Sequence, residues 1–187
     1  MLFVGASCAT RTTSSRPPDE TQRSASPADP LQTCWRVAAD DRLPPIATLA
    51  PVSDSVVFPE DFITLPLHLR LTNIGLLPLW VNKRGAHGGP GIADLWLRID
   101  AADGKVADPE GEGDRWLAGS GDYAALPVGQ SIEIVVRIRR SEYRFRPGQY
   151  TASVCLWDQN PSAPAAPQGA VHLDRAIAAS PIHLTIR

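Results

Sequence analysis

The chain has 187 residues, 43% of them hydrophobic and 20% charged, the make-up of one globular domain of ordinary size plus a tail. A formal net charge of −2 provides no basic field for nucleic acid, and no apolar run approaches the length of a membrane-spanning helix. The 18 prolines gather at Pro17-Pro18, at Pro44-Pro45 and from Pro161 to Pro167, which marks loops and linkers.

The first eight residues close on Leu2-Phe-Val-Gly-Ala-Ser-Cys8, a short apolar run ending in small residues. It resembles the end of a bacterial lipoprotein signal. That resemblance implies that Cys8 is lipidated and becomes the mature N-terminus, and it gives a bacterial cell-envelope address, periplasm or outer membrane. The run lacks a basic n-region and is shorter than the usual h-region of about 7–15 residues, as expected if the true start codon lies upstream. The competing reading is an ordinary N-terminus with an incidental cysteine. Residues 9–31 are rich in Ser, Thr, Pro and charge and cannot bury enough apolar surface to offset the entropy of ordering, so they read as a flexible tether. The expected organisation is a signal remnant over 1–8, a linker over 9–31 and one β-domain over 32–187. With Cys8 lipidated, Cys34 and Cys155 form an even remainder, which in an exported protein predicts a disulfide worth about 4–5 kcal/mol. Two separate buried thiols are the alternative.

From Leu31 the texture changes. Leu31 to Val37 reads as a first short strand, and residues 46–57 as another, interrupted by Pro51. Ile63, Leu65, Leu67, Leu69 and Leu71 alternate with polar positions, which predicts a strand with one buried face. Pro66 on its wet side lacks an N–H, so the strand is expected at an edge or bulged. Asn73-Ile-Gly-Leu-Leu-Pro is a turn, and Leu79 to Asn82 a short strand. Leu95, Leu97 and Ile99 alternate again, with a hairpin turn at Ala102-Asp-Gly-Lys and a short return strand from Val106. Residues 116–124 are ambiguous. Ile132, Ile134, Val136 and Ile138 predict a strong strand, Gln149 to Trp157 another, and Pro181 to Ile186 a last one. No stretch reads as an amphipathic helix. Seven to nine short strands with turns every ten or so residues are the pattern of an all-β antiparallel sandwich.

Three motifs sharpen that reading. Leu71-Thr-Asn-Ile-Gly-Leu-Leu-Pro, Leu126-Pro-Val-Gly-Gln-Ser and Pro147-Gly-Gln-Tyr150 resemble the turns of bacterial immunoglobulin-like domains. The resemblance covers roughly residues 60–158 and implies an immunoglobulin-like sandwich. In it Tyr150 forms a tyrosine corner, its hydroxyl bonding upstream backbone at the crossover between sheets. There is no antibody-type Cys–Trp–Cys pattern. The family contains proteinase inhibitors, adhesion modules and lipoproteins, so the likeness speaks to fold and not to ligand.

No motif assembles a nucleophile or an acid–base pair, so the expectation is a non-enzymatic module with no cofactor. Gly119-Ser120-Gly121 is not a nucleophile elbow. Asp108, Glu110, Glu112 and Asp114 place four carboxylates on a glycine-containing loop, a weak calcium candidate that departs from EF-hand spacing and is more simply a solvated loop. His68, His87, His172 and His183 show no metal-ligand spacing, so no metal site is expected. Trp80 or Trp157 is expected in the core. His87, Trp116 and Tyr123 are the candidate binding-loop residues, suited to stacking on a sugar ring or anchoring a protein. Arg137, Arg139, Arg140, Arg144 and Arg146 form a basic stripe, read as a solvated face with anionic envelope surfaces as the sharper alternative. The expected partners are a protein or a glycan, with the membrane reached through the N-terminal lipid. The function expected is an envelope binding or accessory module. The alternatives are a sandwich-type proteinase inhibitor acting through loop 85–92 or 108–121, and a carbohydrate-binding module.

Overall fold

The computed structural model of the protein describes residues 30–82, 95–105, 122–143, 145–158 and 163–187. Two sheets face each other across one core. The first has the order β1-β3-β7, from Ala47–Pro51, Thr64–Asn73 and Ser131–Arg139, all antiparallel. The second is centred on β8 (Gly148–Leu156). Along one side β8 pairs with β5 (Leu95–Ala101). Along the other it pairs with β11 (Ile182–Ile186) and then with the short β10 (Ile177–Ala178). β2 (Ser55–Phe58) closes that edge, parallel to β11. A small third sheet sets β4 (Leu79–Asn82) between β6 (Tyr123–Leu126), antiparallel, and β9 (Val171–His172), parallel.

The alternation sends Leu65, Leu67, Leu69 and Leu71 of β3 and Ile134, Val136 and Ile138 of β7 inward. They meet Ile99, Ala152, Val154, Ile182 and Leu184 from the second sheet in one continuous cluster. This is an immunoglobulin-like sandwich: inward residues of two sheets alternate with outward polar ones. Ile63 breaks from the expected pattern. It precedes β3 and is 85% exposed, because the ladder begins at Thr64↔Arg139. Phe62 fills the core there, packed on Phe58 and Phe145.

The stretch read as one interrupted strand is two, in different sheets. After Pro51 the chain leaves β3, with Val52 N–H bonding His68 O at 2.8 Å, and reaches the other sheet, where His183 N–H bonds Asp54 O at 2.8 Å. This switch explains Pro66 inside a central strand. The even-numbered amides of β3 point toward β1, as the Val52–His68 bond requires, and β1 has ended before Pro66 is reached. Among the described residues, Pro66 therefore lies where β3 is locally an edge, and its missing N–H breaks no ladder.

Residues 30–40 form an α-helix, α1 (Pro30–Asp40), and not the strand read from Leu31 to Val37. Pro30 suits a first helical position, where its fixed φ helps and its missing N–H costs nothing. Cys34, Val37 and Ala38 recur at helical spacing and pack with Trp35 against the second sheet. Isolated helices of this length are marginal in water, and tertiary fastening supplies what propensity lacks. Here the fastening is covalent. Cys34 is bonded to Cys155 of β8 across 121 residues, both sulfurs buried beside Ala176, Trp96 and Trp157.

The crossover from β7 to β8 carries the tyrosine corner. The Tyr150 hydroxyl donates to Arg146 O and accepts from Arg146 N–H, both at 2.9 Å. Its ring meets Phe145 edge-on at 5.2 Å. The bend falls at Pro147, and Gly148, the first residue of β8, takes a φ of 154° as the chain enters the strand. Tyr150→Phe is expected to lower unfolding free energy by about 1–3 kcal/mol, and a Cys34→Ala/Cys155→Ala pair by about 2–5 kcal/mol. The two sites lie roughly 17 Å apart along β8, so urea unfolding of the triple variant should show losses that add to within about 0.5 kcal/mol.

Candidate functional site

At the end of the sandwich opposite the corner, β3 runs out at Asn73, whose side chain is fully buried. It stands at the inward parity that Leu65 to Leu71 set, so a polar group has entered an aliphatic row. A buried amide must find partners, and Asn73 finds three. Its Nδ2 donates to Leu77 O and Leu126 O, both at 2.9 Å, and its Oδ1 accepts from Gly75 N–H at 2.9 Å. Its backbone bonds Gln130 O and Gly129 N–H. One residue thus holds together the 73–78 turn and the 126–130 turn. Ile74 N–H adds Ile46 O at 3.0 Å, and Val171 N–H adds Pro78 O at 2.9 Å. With their backbones fastened inward, the turns expose their side chains: Ile74 46%, Leu76 95%, Leu77 48% and Val128 49%.

Beside this end the third sheet assembles a polar–aromatic cluster. Tyr123 of β6 stacks on Trp80 of β4 with ring centres 6.1 Å apart, and lies 5.6 Å from the His172 ring of β9. The Tyr123 hydroxyl donates to both oxygens of Asp158, at 2.9 and 3.2 Å. Asp158 is 5% exposed and sits 3.7 Å from His172 Nε2. Trp80 Nε1 and His172 Nε2 are buried and make no hydrogen bond within the described residues. The Tyr123 ring, the Asp158 carboxylate and the Trp80 and His172 nitrogens are closed off from solvent, so the cluster is a buried polar–aromatic network, and it holds no serine or cysteine nucleophile.

Tyr123, read as a loop residue, is on a strand and buried. His87, Trp116 and the calcium candidates Asp108, Glu110, Glu112 and Asp114 lie outside the described residues, as do the return strand from Val106, Cys8 and the loops 85–92 and 108–121. Trp80 and Trp157 are half-buried. His68 and His183 face outward, and His68 pairs with Glu133 across the β3–β7 ladder. Among the described residues no group of three or more His, Cys, Asp or Glu side chains is arranged for a metal. Arg137, Arg139 and Arg146 are exposed along the corner, while Arg144 is outside the described set. Asp158 and His172 were missed by sequence reasoning. They are far apart in the chain, in or beside proline-rich connections, and no local spacing joins them.

No protein-family model matches the chain, and no curated protein matches it in sequence. Solved structures similar to it include the Escherichia coli chaperone DraB, at 16% identity over 75% of this chain and 54% of that one, with a TM-score of 0.36. A CARDB domain from Pyrococcus furiosus, solved with di-metal ions, is similar at 9% identity over 75% and 91%, with a TM-score of 0.35. The Salmonella enterica complex of the SafA pilin with the SafB chaperone is similar at 12% identity over 78% and 56%, with a TM-score of 0.36. The chain spans about half the length of DraB and of the matched Salmonella chain. At these scores the likenesses carry no assignment of ligand or partner.

Asn73→Leu would leave the Leu77 and Leu126 carbonyls without their donor and is expected to cost about 3 kcal/mol in urea unfolding. Tyr123→Phe removes a donor from a buried carboxylate and should cost about 1–3 kcal/mol, with a shift in tryptophan emission from Trp80 that Tyr150→Phe does not produce.

Proposed function

We propose that the protein is a non-enzymatic binding or accessory module of the bacterial cell envelope, held there by a lipid on Cys8. The observation that carries this reading is the Cys34–Cys155 bond. Disulfides persist in oxidising compartments and are rare in the reducing cytosol, so a structural bridge buried among tryptophans suits an exported chain. The small-residue run ending at Cys8 and the polar stretch after it supply the anchor and the spacer of this reading. Envelope-directed expression should give a membrane-associated protein whose N-terminal peptide carries the mass of an acylated Cys8. An unmodified Cys8 in that expression defeats the lipid anchor, and free thiols at Cys34 and Cys155 in the exported protein defeat the compartment.

A glycan ligand is the second reading, favoured by the half-exposed Trp80, whose ring is held by stacking on Tyr123. Titration of a glycan panel against tryptophan fluorescence should give a saturable change that Trp80→Ala abolishes. A flat response across the panel removes it.

A further inference from the structure

At the end around Asn73 four aliphatic side chains, Ile74, Leu76, Leu77 and Val128, are exposed and do not build the core. Four segments meet there: 43–53, 71–82, 123–132 and 163–173. None contains an Asp, Glu, Lys or Arg. That is unusual for turns, which are ordinarily the polar parts of a chain, and covering this end removes no ionised side chain of these segments from water.

Part of the backbone is bonded within this end. The Asn73 amide takes up Leu77 O, Leu126 O and Gly75 N–H. Ile74, Gly129, Gln130 and Val171 N–H groups all bond carbonyls within the same end. Pro44, Pro45, Pro78 and Pro127 have no N–H to satisfy. The Leu76, Leu77 and Val128 amides make no bond within the described residues, which suits the headgroup boundary, where water and headgroup oxygens accept them, and not the hydrocarbon interior. The surface is also convex. Leu76 is 95% exposed and is flanked by Ile74, Leu77 and Val128, so side chains project where a pocket for a partner's side chain would have to recede.

We propose that this end of the sandwich docks on a phospholipid bilayer, with Ile74, Leu76, Leu77 and Val128 entering the boundary between headgroups and acyl chains. The proposal rests on the envelope reading above for its biological setting. Residues 9–29 between Cys8 and α1 span at most roughly 70 Å when extended, against a domain roughly 40 Å across. An acyl chain on Cys8 therefore leaves every face within reach of the membrane, and the surface chemistry decides which one settles on it. The inserting turns carry no charged side chain, and Arg175, which reaches Pro44 O, is paired with Asp41, so binding draws chiefly on apolar burial and depends little on lipid charge and salt, unlike a polybasic contact.

The test uses the full chain carrying Cys8→Ser, so that no acyl chain contributes, and flotation with vesicles of phosphatidylcholine alone. Expected is a measurable partition that is unchanged from low to high salt. It should fall at least about tenfold in Leu76→Ser/Val128→Ser, two exposed substitutions that leave the thermal melt unchanged. Absence of binding to the neutral vesicles overturns the proposal. So does binding that requires anionic lipid, or a partition that the double substitution leaves intact. Self-association lost on the same substitution, with no vesicle binding, assigns the surface to a second copy of the chain and equally overturns it. Since Cys8 is absent from the assay, its result is independent of the acylation mass, and either reading can fail alone.

Discussion

A single buried amide governs one whole end of this molecule. The inward row of β3 is aliphatic until Asn73, and there the polar group costs stability unless all of its bonds are made. Making them requires the 73–78 turn to fold back, the 126–130 turn to lie alongside, and β4 to start where β6 ends. The third sheet and its aromatic cluster hang from that arrangement. So does the outward display of Ile74, Leu76, Leu77 and Val128, because turns whose backbones bond inward have their side chains left facing out.

The opposite requirement, holding two sheets face to face, falls largely on β8. That strand pairs with β5, β10 and β11. It carries Tyr150, which fixes the crossover from the first sheet, and Cys155, which fastens α1. Tyr150 sits at the corner, opposite the 73–78 and 126–130 turns, and Cys155 lies near the far end of the same strand, so β8 is fastened at both of its ends.

Much of the architecture was legible because period-two alternation is a direct print of a half-buried sheet. Leu65 to Leu71, Ile134 to Ile138 and the tyrosine corner were read in place. The helix was not, although Cys34, Val37 and Ala38 recur at helical spacing, because the segment is only 11 residues long and an isolated helix of that length is marginal. Its stability comes from a partner 121 residues away, which no local window contains. Ile63 was misplaced because alternation says which parity faces in but not where the opposing sheet stops. The importance of Asn73 was available as a parity violation, a polar residue on the inward beat. The Tyr123–Asp158–His172 grouping was not available at all, since it is created by strand pairing between β4, β6 and β9.

Pro66 acquires a second meaning once the strand switch is known. Where β1 departs for the other sheet, the remaining length of β3 presents, among the described residues, an unpaired ladder edge, with the exposed Ile63 just before it. Such an edge is a template on which another chain can add a strand. A residue with no N–H, set at the first position past the departing strand, deprives that template of its next donor. The proline that interrupts the most regular stretch of the sequence thus serves as a guard against edge-to-edge aggregation.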